Sequence, residues 1–221
     1  MILAIDTATR WLGLALHDGT AVVAELGWRC LNNHTIELAP NLHEMMHRAS
    51  VTPADLSGIA VAIGPGSYTG LRVGLALAKG LALANQTPLI GIATLDIVAA
   101  AFGPFPGQLL VVAEAGRTRV CVAPYEWENG RGWQTEITPT IESWETLLPT
   151  LEGRVTFAGE ITAQAIKQIK AASKTFQIAP PATAVRRAGY LAELGWRRLR
   201  AGKVDDAQTL APIYLRDPAG N

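Results

Sequence analysis

The sequence has few cysteines, no excess of either charge and no long uninterrupted apolar run. Cys30 and Cys121 are too few and too far apart for a disulfide framework and lack the spacing of a zinc site, a pattern typical of a reducing compartment. The 19 basic and 19 acidic residues balance, so any binding of nucleic acid requires a local patch or a partner. Arg72, Lys79 and Asp96 interrupt the longest apolar runs, so no membrane span is predicted.

No targeting signal is predicted at the start of the chain. No basic segment precedes the apolar residues 2–5, so we expect no signal peptide and predict a cytoplasmic location. With 221 residues and 49% hydrophobic content, the chain is long enough to bury the core of one large or two small domains.

The most informative segment is the glycine-rich stretch at residues 64–74, GPGSYTGLRVG. It follows the strand-like residues 56–63 and leads into a Leu- and Ala-rich helix at 71–84. Gly64 and Gly66 allow a tight turn, and Ser67 or Thr69 is expected to cap the helix. Such a turn is a plausible seat for an anion. The stretch only half matches a dinucleotide fingerprint and lacks the lysine of a P-loop, so a turn without a ligand remains the alternative.

The helix at 71–84 is apolar nearly all round, because only Arg72 and Lys79 are charged and both lie on one face. Such a helix must be covered on more than one side. We predict that its small-residue row, together with apolar residues of an earlier helix, contacts another subunit. The predicted interface comprises Leu38, Leu42, Met45, Met46, Gly70, Leu71, Gly74, Leu75 and Ala78.

The order of elements repeats across the chain. Strands are predicted at 1–6, 11–17 and 21–28, then a helix at 35–50, a strand at 57–63, the helix at 71–84, a strand at 88–92 and a helix at 94–102. After the boundary GPFPG at 103–107, strands at 108–113, 118–125 and 133–138 precede helix 141–148, strand 154–158, helix 162–172, strand 175–178 and helix 183–200. Two copies of β-β-β-α-β-α-β-α predict a duplicated ribonuclease-H-like fold with lobes at 1–103 and 104–221. This is the architecture of actin, hexokinase and the heat-shock ATPases.

Four motifs resemble the bacterial TsaB (YeaZ) family: Ile5-Asp6-Thr7-Ala8-Thr9, Asn33-His34-Thr35, the glycine-rich stretch, and Pro212-Ile-Tyr-Leu-Arg216. The resemblance implies a non-catalytic scaffold subunit for transfer of threonylcarbamoyl to adenosine 37 of tRNAs that read codons starting with A. It implies a TsaD-like catalytic partner, a TsaE-like ATPase, indirect contact with tRNA and a homodimer when the partner is absent. The second half matches loosely, since Glu114-Ala115-Gly116-Arg117 stands where relatives commonly carry Asp-Ala-Arg.

Asp6 stands where kinases of this superfamily place the acidic residue for nucleotide-bound magnesium. We name Asp6, Thr7, Gly64 and Gly66 as candidate phosphate contacts, with a turn aspartate that bonds local backbone as the favoured alternative for Asp6. The second hairpin, residues 114–118, offers one glycine and no aspartate, so a small-molecule kinase is the disfavoured alternative function. No cofactor is predicted for the chain alone; a nucleotide at the interface with the catalytic subunit is left open.

A zinc metallopeptidase is a further alternative, because His43-Glu44-Met45-Met46-His47 matches H-E-x-x-H on a predicted helix. A zincin needs a third protein ligand, and no histidine follows His47. Coincidence is the favoured explanation, and no metal site is predicted. The segment Thr94-Leu95-Asp96, the expected counterpart of the partner family's metal-binding segment, also has no histidine.

The last predicted helix and its exit are basic. The cations are Arg186, Arg187, Arg197, Arg198, Arg200 and Lys203. Most of this charge is expected to be a solvated helix end that complements the helix dipole. The alternative is a phosphate contact that orients tRNA in a complex.

Overall fold

The computed structural model describes residues 1–30, 33–116 and 119–215. The strands are β1 Ile2–Asp6, β2 Trp11–His17, β3 Val22–Arg29, β4 Gly58–Ala62, β5 Leu89–Ile92, β6 Gln108–Glu114, β7 Arg119–Glu128, β8 Gly132–Gln134, β9 Thr140–Ser143, β10 Val155–Gly159 and β11 Phe176–Ile178. The α-helices are α1 His34–Arg48, α2 Tyr68–Asn85, α3 Thr94–Ala99, α4 Trp144–Leu147, α5 Ala163–Ala172, α6 Pro181–Ala184 and α7 Ala188–Arg200. Short 3-10 turns lie at Pro53–Asp55 and Leu148–Thr150.

The first unit comprises residues 1–97 and 187–213. Its sheet has the order β3-β2-β1-β4-β5, in which β1 pairs antiparallel with β2 and parallel with β4. Every residue of β1 and β4 is buried, because helices cover both faces of the sheet. Alternate residues of β1 point to opposite faces. Leu3 and Ile5 therefore join the core with α1 and α2, whereas Ile2 and Ala4 join the core with α7.

The second unit comprises the described residues of 98–186 together with residues 214 and 215. Its sheet has the order β11-β10-β6-β7-β8, and β9 also pairs with β7. The core includes Phe157 and Ile169, where α5 lies on the sheet. Its helices are shorter than their counterparts, since α4 has four residues and α5 ten, against 15 in α1 and 18 in α2.

The predicted elements agree with the structure within a few residues, with three differences. The lobe boundary at 103/104 is wrong for residues 187–213, because α7 packs on the first sheet. The predicted strand 133–138 and helix 141–148 are replaced by β8, β9 and the four-residue α4, since residues 140–143 pair with β7. The predicted helix 183–200 is two helices, because Val185 and Arg187 have extended backbone angles.

Among the residues that the structure describes, no helix combines the length and the apolar character needed to cross a lipid bilayer.

Candidate functional site

The turn between β1 and β2 carries the predicted phosphate contacts Asp6 and Thr7, and both side chains are completely buried. Asp6 Oδ1 accepts a hydrogen bond from Ala8 N at 2.9 Å, as expected for an aspartate that stabilises its own turn. Thr7 Oγ1 donates to the carbonyl oxygen of Gly70 in α2 at 2.7 Å. The polar groups of this turn therefore bond to the protein's own backbone.

The glycines of the glycine-rich stretch leave room for the same turn. A Cβ atom on Gly66 would lie 2.1 Å from Ala8 O, and one on Gly70 would lie 2.2 Å from Thr7 O. At Gly74 it would lie 2.1 Å from Thr7 Oγ1. No side chain fits at such distances, so this row allows α2 to lie directly against the turn. These contacts explain the glycines without a ligand.

Gly64 has a positive φ of 108°, and a Cβ there would approach Ile213 O to 2.8 Å. Only glycine adopts this conformation without strain. The stretch is the predicted tight strand-to-helix turn. The phosphate contacts named for Asp6, Thr7, Gly64 and Gly66 remain a prediction.

Helices α1 and α2 are each fixed to the turn between β1 and β2 where they begin. Ser67 N donates a hydrogen bond to Ala8 O at 2.6 Å. Ser67 Oγ accepts one from Gly70 N at 3.2 Å, which confirms Ser67 as the predicted cap of α2. His34 is buried, and its Nε2 atom lies 3.0 Å from Thr9 O, so the ring nitrogen donates to this carbonyl. The Asn33-His34-Thr35 motif thus has a physical role that sequence reasoning did not assign.

The predicted interface residues lie in the chain's own core. Ala78 and Leu71 are 0% exposed, and the rest of the predicted set is also buried: Leu38, Leu42, Met45, Met46, Gly70, Gly74 and Leu75. This contradicts the prediction that these side chains face a partner. The four-residue spacing showed correctly that Gly70, Gly74 and Ala78 share a face. That face packs against the turn after β1 and against the sheet.

The opposite face of α2 is exposed and contains no carboxylate. Ala76 and Gly80 are exposed, and Leu83 is 58% exposed. Half-buried Val73 and Leu77 border them. In the neighbouring α1, Ile36 is 72% exposed. We refer to the exposed side of α2 at Val73, Ala76, Leu77, Gly80 and Leu83 as the outer face.

The H-E-x-x-H residues lie on the exposed side of α1. The His43 and His47 rings are 6.4 Å apart between centroids. Glu44 Oε1 accepts a hydrogen bond from Arg48 Nε at 2.6 Å, and this contact lowers the pKa of Glu44. Within residues 1–30, 33–116 and 119–215, no three histidine, cysteine, aspartate or glutamate side chains converge as metal ligands would. The described residues thus offer no third zinc ligand to this motif.

In the second unit, an ion pair stabilises the end of β6, the strand that corresponds to β1 in the repeated order of elements. Arg186 Nη1 lies 3.1 Å from Glu160 Oε1, and the Arg186 side chain is only 3% exposed. The other carboxylate oxygen of Glu160 accepts a hydrogen bond from Glu114 N at 2.9 Å. Residues 117 and 118 of the weakly matching hairpin lie outside the described residues. Sequence reasoning missed this pair, because nothing local links positions 114, 160 and 186.

Most arginines of the last basic segment are paired. Besides Arg186, Arg187 bonds to Glu25, which raises the pKa of Arg187. Arg197 bonds to Glu193 one helical turn away. Arg198 bonds to Gly91 O at 2.6 Å and Asp205 at 3.1 Å. The Arg187 and Arg198 contacts fix α7 and its exit within the first unit. In the described part of the chain, pairing leaves Arg200 and Lys203 as the members of this segment without an ion pair.

Both cysteines are buried. Burial raises the pKa of Cys121 to about 12, so its reactive thiolate form is scarce at neutral pH.

Sequence comparison finds known proteins that are similar to this chain over most of its length. The family model for TsaD, tRNA N6-adenosine threonylcarbamoyltransferase, matches residues 29–220. TsaB of Bacillus subtilis, described as a tRNA threonylcarbamoyladenosine biosynthesis protein, is 34% identical over 97% of this chain and 93% of its own length.

Two solved structures define the fold. A Pseudomonas aeruginosa protein described as similar to peptidase YeaZ superimposes with a TM-score of 0.81 at 21% identity, covering 97% of this chain and 99% of its own. The ADPNP-bound activator of 2-hydroxyisocaproyl-CoA dehydratase from Clostridium difficile gives 0.52 at 9% identity over 96% and 99%.

The two sheets and their helices form the duplicated ribonuclease-H-like fold, as the order of elements predicted. Within this class, the similarity over nearly the whole chain is decisive. The chain belongs to the TsaB (YeaZ) family.

Proposed function

We propose that this chain is a non-catalytic subunit in the synthesis of threonylcarbamoyladenosine at position 37 of tRNAs that read codons starting with A. It acts with a TsaD-like catalytic subunit and a TsaE-like ATPase. The name and the 34% identity of the Bacillus subtilis relative support the pathway. Asp6 is buried and bonds to its own turn, which favours a non-catalytic role for this chain over a catalytic one.

The outer face of α2 is the observation that carries this proposal. Ala76 and Gly80 are small, so another helix can approach closely, and Leu83 provides exposed apolar area. Apolar patches that continue across neighbouring elements commonly mark protein contacts. We assign the contact with the catalytic subunit to this outer face, and the contact with a second copy to the same face when the catalytic subunit is absent.

The functional test is reconstitution. The purified chain alone should leave unmodified tRNA unchanged. Addition of the catalytic subunit, the ATPase and threonylcarbamoyl-adenylate should produce threonylcarbamoyladenosine, detected by mass spectrometry of nuclease digests. Omission of this chain should abolish most of the product. Modification by the chain alone would show that it is an enzyme in its own right.

The interface test compares two alanines of α2 that point in opposite directions. Ala76→Arg places a charged side chain on the outer face, so the protein should fold but bind the catalytic subunit roughly a thousandfold more weakly, because an unpaired buried charge costs several kcal/mol. Ala78→Arg should unfold the protein, since Ala78 is fully enclosed by the core. Calorimetric titration and circular dichroism measure the two effects. Unimpaired binding of the Ala76→Arg variant would rule out the outer face as the interface.

A further inference from the structure

The lysines of this chain are unevenly distributed. The sequence contains five lysines, and three of them, Lys167, Lys170 and Lys174, lie within eight residues of each other. Ala165 and Ile169 of α5 are buried against the second sheet, whereas Lys167 and Lys170 are exposed on the other side of the helix. Lys174 is exposed in the turn between α5 and β11.

A fourth cation lies beside this turn. Thr175 Oγ1 donates a hydrogen bond to Gly153 O at 2.5 Å, and Val155 pairs with Phe176. Arg154, between Gly153 and Val155, is therefore adjacent to the turn that carries Lys174, and it is exposed. We call Arg154, Lys167, Lys170 and Lys174 the α5 basic surface.

No ion pair or side-chain hydrogen bond within the described part of the chain involves these four cations. This distinguishes them from Arg186, Arg187, Arg197 and Arg198, which are all paired. The nearest acidic residues in sequence are the exposed Glu152, beside Arg154, and Glu160, which pairs with Arg186. The helix dipole accounts for a lysine in the last turn of α5, but not for Lys167 or for Arg154, which precedes β10.

We infer that the α5 basic surface contacts the phosphate backbone of the tRNA in the assembled complex, an inference that rests on the function proposed above. Unpaired lysines are point charges that neutralise phosphates without reading bases. The other exposed residues of α5 include Gln164, Ala171 and Ala172, and none is a bulky apolar side chain. A membrane-binding helix needs such side chains for insertion, so a nucleic acid is the better partner.

The test measures how strongly the reconstituted complex binds an unmodified tRNA transcript at several salt concentrations, by fluorescence anisotropy. Each phosphate contact contributes a slope of about −0.9 in log affinity against log salt. Replacing Lys167, Lys170 and Lys174 together by Gln should make the slope less negative by about 2 to 3 and weaken binding at least tenfold at low salt.

The matched control removes three exposed cations elsewhere. Arg197→Gln, Arg200→Gln and Lys203→Gln change the net charge equally but should alter affinity by less than threefold and leave the slope unchanged. Equal slopes for the wild type and the lysine variant would overturn the inference. Loss of heparin or anionic-vesicle binding with unchanged tRNA binding would overturn it in favour of another polyanion.

The single substitution Lys167→Gln is a second variant, which should make the slope less negative by about 0.9.

Two further readouts separate this inference from the proposed function. The lysine variant should still co-elute with the catalytic subunit, because α5 lies outside the outer face of α2. If the wild-type complex binds tRNA but does not modify it, the proposed function fails, whereas the salt slope still decides whether α5 contacts RNA.

Discussion

The two units repeat one order of elements, but different contacts stabilise the end of the first strand of each, β1 in the first unit and β6 in the second. In the first unit, the turn after β1 lies directly on α2, because Gly66, Gly70 and Gly74 leave no side chain between them. In the second unit, a Cβ on the hairpin glycine Gly116 would meet no atom of the described residues within 4 Å. There, the buried Arg186 reaches Glu160, which in turn binds the backbone at the end of β6.

This difference shows what a glycine-rich strand-to-helix turn requires. The glycines of the first unit resemble a phosphate cradle in sequence, yet their free space is filled by a buried threonine and an alanine carbonyl of the same chain. The second unit has one such contact, since a Cβ on Gly159 would lie 2.0 Å from Val112 O, and it adds the Arg186–Glu160 ion pair. The end of β6 should therefore depend on electrostatics as well as on volume, whereas the turn after β1 should depend on volume.

The largest expected effect follows from adding one methyl group to Gly74, where α2 lies against the turn after β1. Gly74→Ala would place Cβ 2.1 Å from Thr7 Oγ1, so we expect a loss of about 3 kcal/mol in the free energy of unfolding. Gly80→Ala on the same helix is the control. A Cβ on Gly80 would meet no described atom within 4 Å apart from its chain neighbours and the adjacent backbone of its own helix, and the higher helix propensity of alanine should stabilise the protein by about 0.5–1 kcal/mol.

Urea denaturation measures both changes. The double variant Thr7→Ala/Gly74→Ala should be less unstable than the sum of the single variants, because it removes the clashing oxygen. Strict additivity would mean that Gly74 is not constrained by Thr7, and the account of the glycine row would be wrong.

A smaller effect is expected from breaking the ion pair between Arg186 and Glu160 in the second unit. Arg186→Gln removes the ion pair to Glu160, whose side chain is 29% exposed, so we expect a loss of about 2 kcal/mol in the free energy of unfolding. The backbone amide of Glu114, which donates to Glu160, should exchange hydrogen faster in the variant. Unchanged exchange at Glu114 would show that the ion pair does not order this edge. Arg131→Gln, on an exposed pair with Glu128, is the control and should change stability by less than about 0.5 kcal/mol.

The smallest effect concerns the two thiols, which report on the units separately because Cys30 lies in the first and Cys121 in the second. With a pKa of about 12, only about one in ten thousand Cys121 side chains is a thiolate at pH 8. Native protein should therefore react very slowly with a thiol reagent. In mild urea, Gly74→Ala should speed labelling of Cys30 first, and Arg186→Gln that of Cys121 first. The same labelling order in both variants would mean that the units do not open independently.

Local patterns predicted much of this structure. The short apolar run of β1, the apolar length of α2 and the cap at Ser67 are encoded within a few residues, so the order of elements along the chain, the helix positions and the repeated fold could be predicted from the sequence. Similarly, the spacing of Gly70, Gly74 and Ala78 correctly identified a helix face. Residues 140–148 were less predictable, because pairing with β7 makes a strand of their first part.

The sequence by itself determined which elements form and in what order, because hydrophobic periodicity and capping act over one or two turns. Only the tertiary structure decided which side of α2 is buried, where α7 packs and which cations remain free. Those outcomes depend on distant contacts: Thr7 bonds to Gly70, 63 positions away, and Arg187 to Glu25, 162 positions away. No pattern within a single helix specifies what lies across from it, so the partner-facing side and the unpaired α5 lysines became visible only in the folded chain.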